Sequence, residues 1–135
     1  MKIIEEFNKT IYHKIEKSLI KNDIKDILNK DGRKNNSPAG CKNKPTIYIL
    51  YSKKDEVLYI GESGKSLKTR CSGDGSGSHN KKDWWEEVEY VKYLINNEFC
   101  KDEKVRKFLE QSLSITLKPK YYGRSKHLKN NVKKN

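Results

Sequence analysis

Two tyrosines, an arginine and a glutamate are ordered along this chain in a way that reads as a reaction centre. Tyr48 and Tyr59 lie in two short β-type segments, Ile47-Tyr48-Ile49-Leu50-Tyr51 and Val57-Leu58-Tyr59-Ile60-Gly61, with ten residues between them. The polar stretch from Ser52 to Glu56 reads as the turn of a β-hairpin. A turn centred on Lys53-Lys54 sets Tyr48 opposite Tyr59, and directly opposed residues share a face with Cβ atoms roughly 5 Å apart. Phenols can carry protons and a guanidinium binds oxyanions, so this pair, with Arg70 following and Glu110 far downstream, has the parts for proton transfer at an anion. Tyrosine is also a good strand former, however, and paired aromatics often only cover a core.

Composition narrows the partner. The 135 residues suit one domain with an added element, and 33% hydrophobic residues can build a modest core. An excess of 30 basic over 18 acidic residues gives a net charge of +12, which points to a polyanion. Residues 124–135 are the densest basic segment, with five basic and no acidic side chains. Such a tail is either a solvated end or a contact for a phosphate backbone. Cys41, Cys71 and Cys100 form no CxxC pair, so neither a disulfide framework nor a zinc site is expected. No apolar run is long enough for a membrane span or a signal peptide, which predicts a soluble, cytoplasmic protein without a membrane partner.

The elements that must position these groups follow from periodicity. Ile3, Phe7, Ile11, Ile15 and Leu19 recur at helical spacing. Asn22-Asp23 reads as an interruption, and Ile24, Ile27 and Leu28 as a second short helix ending before Asp31-Gly32. Residues 1–31 are therefore an N-terminal helical extension and 32–45 a linker rich in Gly, Asn, Ser, Pro and Lys. After the hairpin, Ser66 opens a short helix carrying Arg70. Gly73 to Gly77 reads as a mobile loop, and Val88 to Ile95 as a third strand. Asp102 caps a helix that Lys118-Pro119 ends at Leu117. On that helix Val105, Phe108, Leu109, Ser112, Leu113 and Thr116 form the expected buried stripe, with Glu110 on its border. The fold class is α+β: a small central antiparallel sheet, hairpin plus third strand, flanked by helices.

These residues resemble the GIY-YIG nuclease family. Thr46-Ile47-Tyr48 stands where the family has Gly-Ile-Tyr, and Tyr59-Ile60-Gly61 matches the second signature in full. Ser66-Leu67-Lys68-Thr69-Arg70 is similar to the helix bearing the family's arginine. Phe108-Leu109-Glu110-Gln111-Ser112-Leu113, with Lys118-Pro119-Lys120-Tyr121-Tyr122, resembles its terminal block. The resemblance spans residues 46–123 as a nuclease-like domain and leaves 124–135 as a basic tail. Three departures stand out: Thr46 for glycine, Glu62 directly after Tyr-Ile-Gly, and Tyr122 where many relatives carry asparagine.

The resemblance implies hydrolysis of a DNA phosphodiester bond with one divalent metal, Mg2+ or Mn2+, held by Glu110. It implies Tyr48 as the group activating water, Tyr59 beside it, and Arg70 as transition-state stabiliser. Lys65 and His79 are further catalytic candidates. Lys68, Lys81, Lys82, Arg124, Lys126 and Lys129 are expected to contact phosphates, and Trp84 to stack on a base, although one tryptophan of the Trp84-Trp85 pair belongs in the core. Palindromic cutting would favour a homodimer, with the N-terminal apolar stripe as seam. Glu62 and Tyr122 leave open a second reading, a nucleic-acid-binding protein that keeps the fold without catalysis. Neither charge nor fold separates DNA from RNA.

Overall fold

In this computed structural model, residues 2–28, 45–73, 77–95 and 97–121 are described. β2 (Thr46–Ser52) and β3 (Val57–Ser63) form the expected hairpin, and β4 (Val88–Leu94) is the expected third strand. With a further strand β1 (Ile20–Asp23), all pairings are antiparallel, in the order β1-β4-β2-β3. β2 is flanked on both sides, and Thr46 through Leu50 are all buried. That explains its unbroken apolar run, since a strand covered on both faces has no polar face to alternate with.

The fourth strand was not expected. The N-terminal helix runs through α1 (Lys2–Glu6), a π-helical turn (Phe7–Tyr12) and α2 (His13–Ser18). The chain then turns extended at Leu19 and forms β1 (Ile20–Asp23) before α3 (Ile24–Leu28). β1 pairs with β4 from Ile20 opposite Tyr93 to Asp23 opposite Tyr90. Tyr93 donates its hydroxyl proton to Asn22 Oδ1, and Lys21 Nζ sits 4.3 Å from the Tyr90 ring centroid. Asn22-Asp23 therefore ends a strand that precedes α3 rather than interrupting a helix, because cross-strand partners outweigh the helical spacing of the preceding residues.

Two apolar layers cover the sheet. One joins Ile47, Ile49, Ile60 and Leu94 to Phe7, Ile15, Leu109 and Leu113. The other joins Tyr48, Leu50, Val91 and Tyr93 to Ile24, Ile27, Leu67, Cys71 and Trp84. The helices at 2–18 and α5 (Glu103–Leu117) thus lie on one face, and α3, α4 (Leu67–Ser72) and the 79–87 segment on the other. Asp102 caps α5 as expected, its carboxylate accepting from the amides of Lys104 and Val105. Beyond α5, the amides of Lys120 and Tyr121 donate to the carbonyls of Val57 and Leu58 at 2.9 and 2.8 Å, tying the chain back to β3. Among the described residues no helix is long and apolar enough to cross a membrane.

The hairpin register differs from the expected one. Tyr48 pairs with Gly61, and Leu50 with Tyr59. The turn is closed by the Ser52 amide to the Glu56 carbonyl at 3.0 Å, with Asp55 in the left-handed region at φ 66°. A bulge between Leu50 and Tyr51 completes the slide. Because the slide is an even number of residues, the two tyrosines keep a common face as diagonal neighbours. The Tyr48 ring now lies across Gly61, where a Cβ would fall 2.6 Å from Tyr48 Cζ. Glycine is required there by proximity to a ring. Gly61→Ala should lower stability by about 1–3 kcal/mol, the usual range for overpacking, as read by urea unfolding; an unchanged midpoint would show that the ring does not occupy this space.

Candidate active site

Each side chain of the site is set by local chemistry. Ser66 opens α4 by accepting from the Thr69 amide at 3.1 Å, and Leu67 and Cys71 anchor the helix in the core. Arg70, in its last turn, then sets its charge beside the hydroxyls of Tyr48 and Tyr59, where it favours their ionised forms. Its Nη1 also donates to the Gly77 carbonyl at 3.4 Å. Ser78 folds the following segment back, because its hydroxyl donates to the Arg70 carbonyl and accepts from the Gly73 amide, both at 3.0 Å. This return places His79 beside the tyrosines. His79 Nε2 lies 2.5 Å from the Tyr48 hydroxyl, and its ring meets that of Tyr59 edge-on at 4.6 Å.

Glu110 arrives from the opposite face of the sheet. The buried stripe of α5 is Arg106, Leu109 and Leu113, rather than one centred on Val105 and Phe108, which are 37% and 57% exposed. The helix is rotated because Arg106 is drawn inward. Its Nε donates to Glu62 Oε1 at 2.7 Å and its Nη1 to the Cys100 carbonyl at 2.8 Å. Phe108 instead lines an apolar groove with Ile3 and Phe7. The rotation turns Glu110 toward β3, where it feels the charges of Glu62 and Arg70 and itself acts on Tyr59. The five groups thus meet around β3, the edge strand packed by both α4 and α5.

Electrostatics divide the roles. Burial, then the neighbouring charge of Glu62, pushes the Glu110 carboxyl up to about 7, against the opposing pull of Lys107, Arg70 and the Glu62 amide. Glu110 has no ion-pair partner among the described residues. Burial, then the cations Arg70 and Lys82, pushes His79 down to about 3, so its imidazole is neutral. Burial holds the Tyr48 hydroxyl well above the ordinary phenol range, with Arg70 opposing. Tyr59 is raised by burial and by Glu110. The site therefore contains two neutral phenols and a neutral imidazole in a hydrogen-bonded group, one fixed cation, and a carboxyl poised to ionise near neutrality.

The other expected site residues fall elsewhere. Lys65 and Lys81 are exposed, while Lys68 and Lys82 are half-buried on the segments that flank Arg70 and His79. Trp84 is 0% exposed, stacked between Tyr59 at 5.2 Å and Tyr121 at 5.6 Å. It has no free face for a base, so its stacking role is withdrawn: the indole completes the core beneath the tyrosines. Arg124, Lys126, Lys129, Tyr122 and Cys41 lie outside the described residues. Cys71 and Cys100 are buried free thiols, and the described residues contain no cluster of three metal-ligating side chains. Sequence reasoning missed Arg106, whose spacing of one helical turn from Glu110 was the available signal. It also missed Tyr121, whose hydroxyl donates to Glu87 at 2.6 Å.

No protein-family model matches this chain. Over 81 residues it is 35% identical to UvrABC system protein C of Mycoplasma capricolum subsp. capricolum, a match covering 58% of this chain and 13% of that protein. The chain therefore corresponds to a small part of that relative's length.

The Glu62–Arg106 pair has side chains only 16% and 7% exposed. Removing one member of a buried pair strands the other charge. Arg106→Met should cost about 3 kcal/mol by urea unfolding, and adding Glu62→Gln should recover part of that loss. A double variant no more stable than the single one would show that the two charges do not compensate each other.

Proposed function

We propose that this chain is a divalent-metal-dependent DNA endonuclease of the GIY-YIG type, a phosphodiester hydrolase. The observation that carries the reading is the meeting of Tyr48, Tyr59, His79, Arg70 and Glu110 around one strand edge, from five separate elements of the chain. The net charge of +12 supports a nucleic-acid substrate. The likeness to UvrABC system protein C, over 81 residues, supports a DNA substrate. Arg106 neutralises Glu62 at 2.7 Å, which removes one of the grounds for a non-catalytic reading.

Glu110 fits a metal ligand. A half-buried carboxyl with no ion-pair partner among the described residues, already raised to about 7 by burial and by Glu62, lacks a positive charge that a divalent cation would supply. Magnesium accepts a single protein carboxylate because it keeps several waters and takes substrate oxygens. When bound, it would supply Lewis-acid charge at a phosphate oxygen.

The protein's own groups account for the proton and the anion. Tyr48 is held too far above neutrality to act as a free phenolate, so it works as a relay: its oxygen takes the attacking water's proton while its own proton passes to His79 Nε2. The water oxygen bonds to phosphorus, and the opposite P–O bond breaks to release an alkoxide, which is protonated from solvent. Arg70, shared by both phenols, clamps the phosphate as negative charge grows. Substrate phosphate also cancels the Arg70 charge that depresses His79, strengthening that base when it is needed.

Glu110→Ala should abolish magnesium-dependent cleavage of supercoiled and branched DNA while leaving DNA binding within a few-fold of wild type. Retained cleavage would remove Glu110 from the metal site and with it this mechanism. A second test uses pH. Below about 7 a proton occupies Glu110 and competes with the cation, so activity should fall as pH drops through that range. Raising magnesium should move the acid limb to lower pH, because cation and proton compete for one carboxylate. A limb that ignores magnesium would place it on another group.

A further inference from the structure

His79 Nδ1, Asn80 Oδ1 and Trp84 Nε1 are buried without a hydrogen-bond partner among the described residues, and all three belong to one short segment. Buried polar atoms nearly always have a protein or water partner. The His79 and Trp84 rings are 5.6 Å apart by centroid, and Asn80 adjoins His79 in sequence.

Their donor and acceptor roles follow from the other side of the imidazole. Arg70, whose charge lies beside the Tyr48 oxygen, can only donate, so Tyr48 turns its lone pairs toward that cation and sends its own proton elsewhere. Tyr48 is fully buried, and His79 Nε2 lies 2.5 Å from its hydroxyl, in position to accept that proton. Nε2 is therefore bare, and the ring proton of the neutral imidazole is on Nδ1. The segment then presents two buried N–H donors, from His79 and Trp84, and one buried amide oxygen. A single water accepting from both donors and giving a proton to Asn80 makes three hydrogen bonds, the usual number for a buried water.

We propose that an internal water joins His79 Nδ1–H and Trp84 Nε1–H to the side-chain oxygen of Asn80, which makes Asn80 and Trp84 positioning residues for the Tyr48–His79 proton pair. The catalytic consequence rests on the nuclease reading; the water site and the tautomer do not. As Nε2 gains the Tyr48 proton, the ring becomes a cation whose Nδ1–H then has an oriented acceptor. The water and the Asn80 oxygen hold the ring square to Tyr48 and stabilise that charge.

Nitrogen-15 NMR on the full chain tests both parts. In the wild type His79 should carry its proton on Nδ1, with water cross-peaks to that proton and to the Trp84 indole N–H. Asn80→Leu removes the acceptor at similar volume, and Trp84→Phe keeps a ring between Tyr59 and Tyr121 but removes the N–H. Each should retain the native amide spectrum, exchange the His79 ring proton with solvent faster, and lower kcat roughly tenfold with KM and DNA binding little changed. Asn80→Asp, which keeps an acceptor, should restore much of kcat. A proton on Nε2 in the wild type, or wild-type kcat in both variants, would overturn the proposal. The Nδ1–H tautomer with its water contacts, in a chain that cleaves no DNA, would uphold the water site and defeat the nuclease reading instead.

Discussion

The seating of the Tyr48 ring across Gly61 is the constraint from which the rest of the site is built. Tyr48 lies on β2, the strand flanked on both sides, and its side chain has no exposed surface. Its ring can reach His79 and Arg70 only because the residue paired with it carries no Cβ. Had the hairpin closed two residues earlier in register, Tyr48 would have met the Tyr59 side chain directly, and the space over Gly61 would not have been aimed at the imidazole. The bulge at Leu50–Tyr51 and the Ser52–Glu56 turn are thus part of the site's construction, although no atom of theirs belongs to it.

Charge balance is the second constraint. Four charged groups gather where β3, α4 and α5 meet: Arg70 and Arg106 against Glu62 and Glu110. Arg106 is taken up by Glu62 and by the carbonyl of Cys100, and its guanidinium is so close to the β3–α4 turn that a Cβ on Gly64 would lie 2.9 Å from Nη2. Arg70 is taken up by no carboxylate among the described residues; its charge acts on two neutral phenols instead. The site is therefore divided into a closed pair that holds α5 in place and an open pair, Arg70 and Glu110, that can face ligands of opposite charge. An anion beside Arg70 and a cation beside Glu110 would relieve the same imbalance from its two ends, and the proposed phosphate and divalent cation would each favour the other's binding for that reason.

How much was legible in the sequence follows from how local each feature is. The hairpin, the Ser66 and Asp102 caps and the third strand were readable, because each is written in a few consecutive residues. The meeting of Tyr48, Tyr59, Arg70 and Glu110 could be anticipated from short motifs in a fixed order. β1 could not, since Ile20–Asp23 extends only to pair with β4, far away in sequence. The rotation of α5 was equally hidden. Apolar spacing favoured Val105 and Phe108, whereas a buried ion pair drew Arg106 inward, and helical periodicity ranks an arginine as surface. Trp84 failed as a surface residue for a related reason: a tryptophan after two lysines and an aspartate looks exposed until Tyr59 and Tyr121 close over both its faces.

The aromatic column gives this arrangement its rigidity. Tyr121, brought back to β3 by two backbone hydrogen bonds after α5 ends, stacks on Trp84, which stacks on Tyr59, which meets His79 edge-on. Rings in such contact resist rotation collectively, because none can turn without moving its neighbour. The proposed proton transfer between Tyr48 and His79 would need a short, fixed approach, and an imidazole held on a loop beside a glycine-rich stretch would not keep one unaided. The column and the Ser78 anchor restrain that loop from below and from the side. The helix bearing Glu110 and the chain that closes the column are also continuous, since Pro119 and Lys120 link α5 directly to Tyr121. The Glu110 carboxylate and the ring that closes the column are therefore placed by one connected stretch of polypeptide, so a displacement of α5 would disturb both at once.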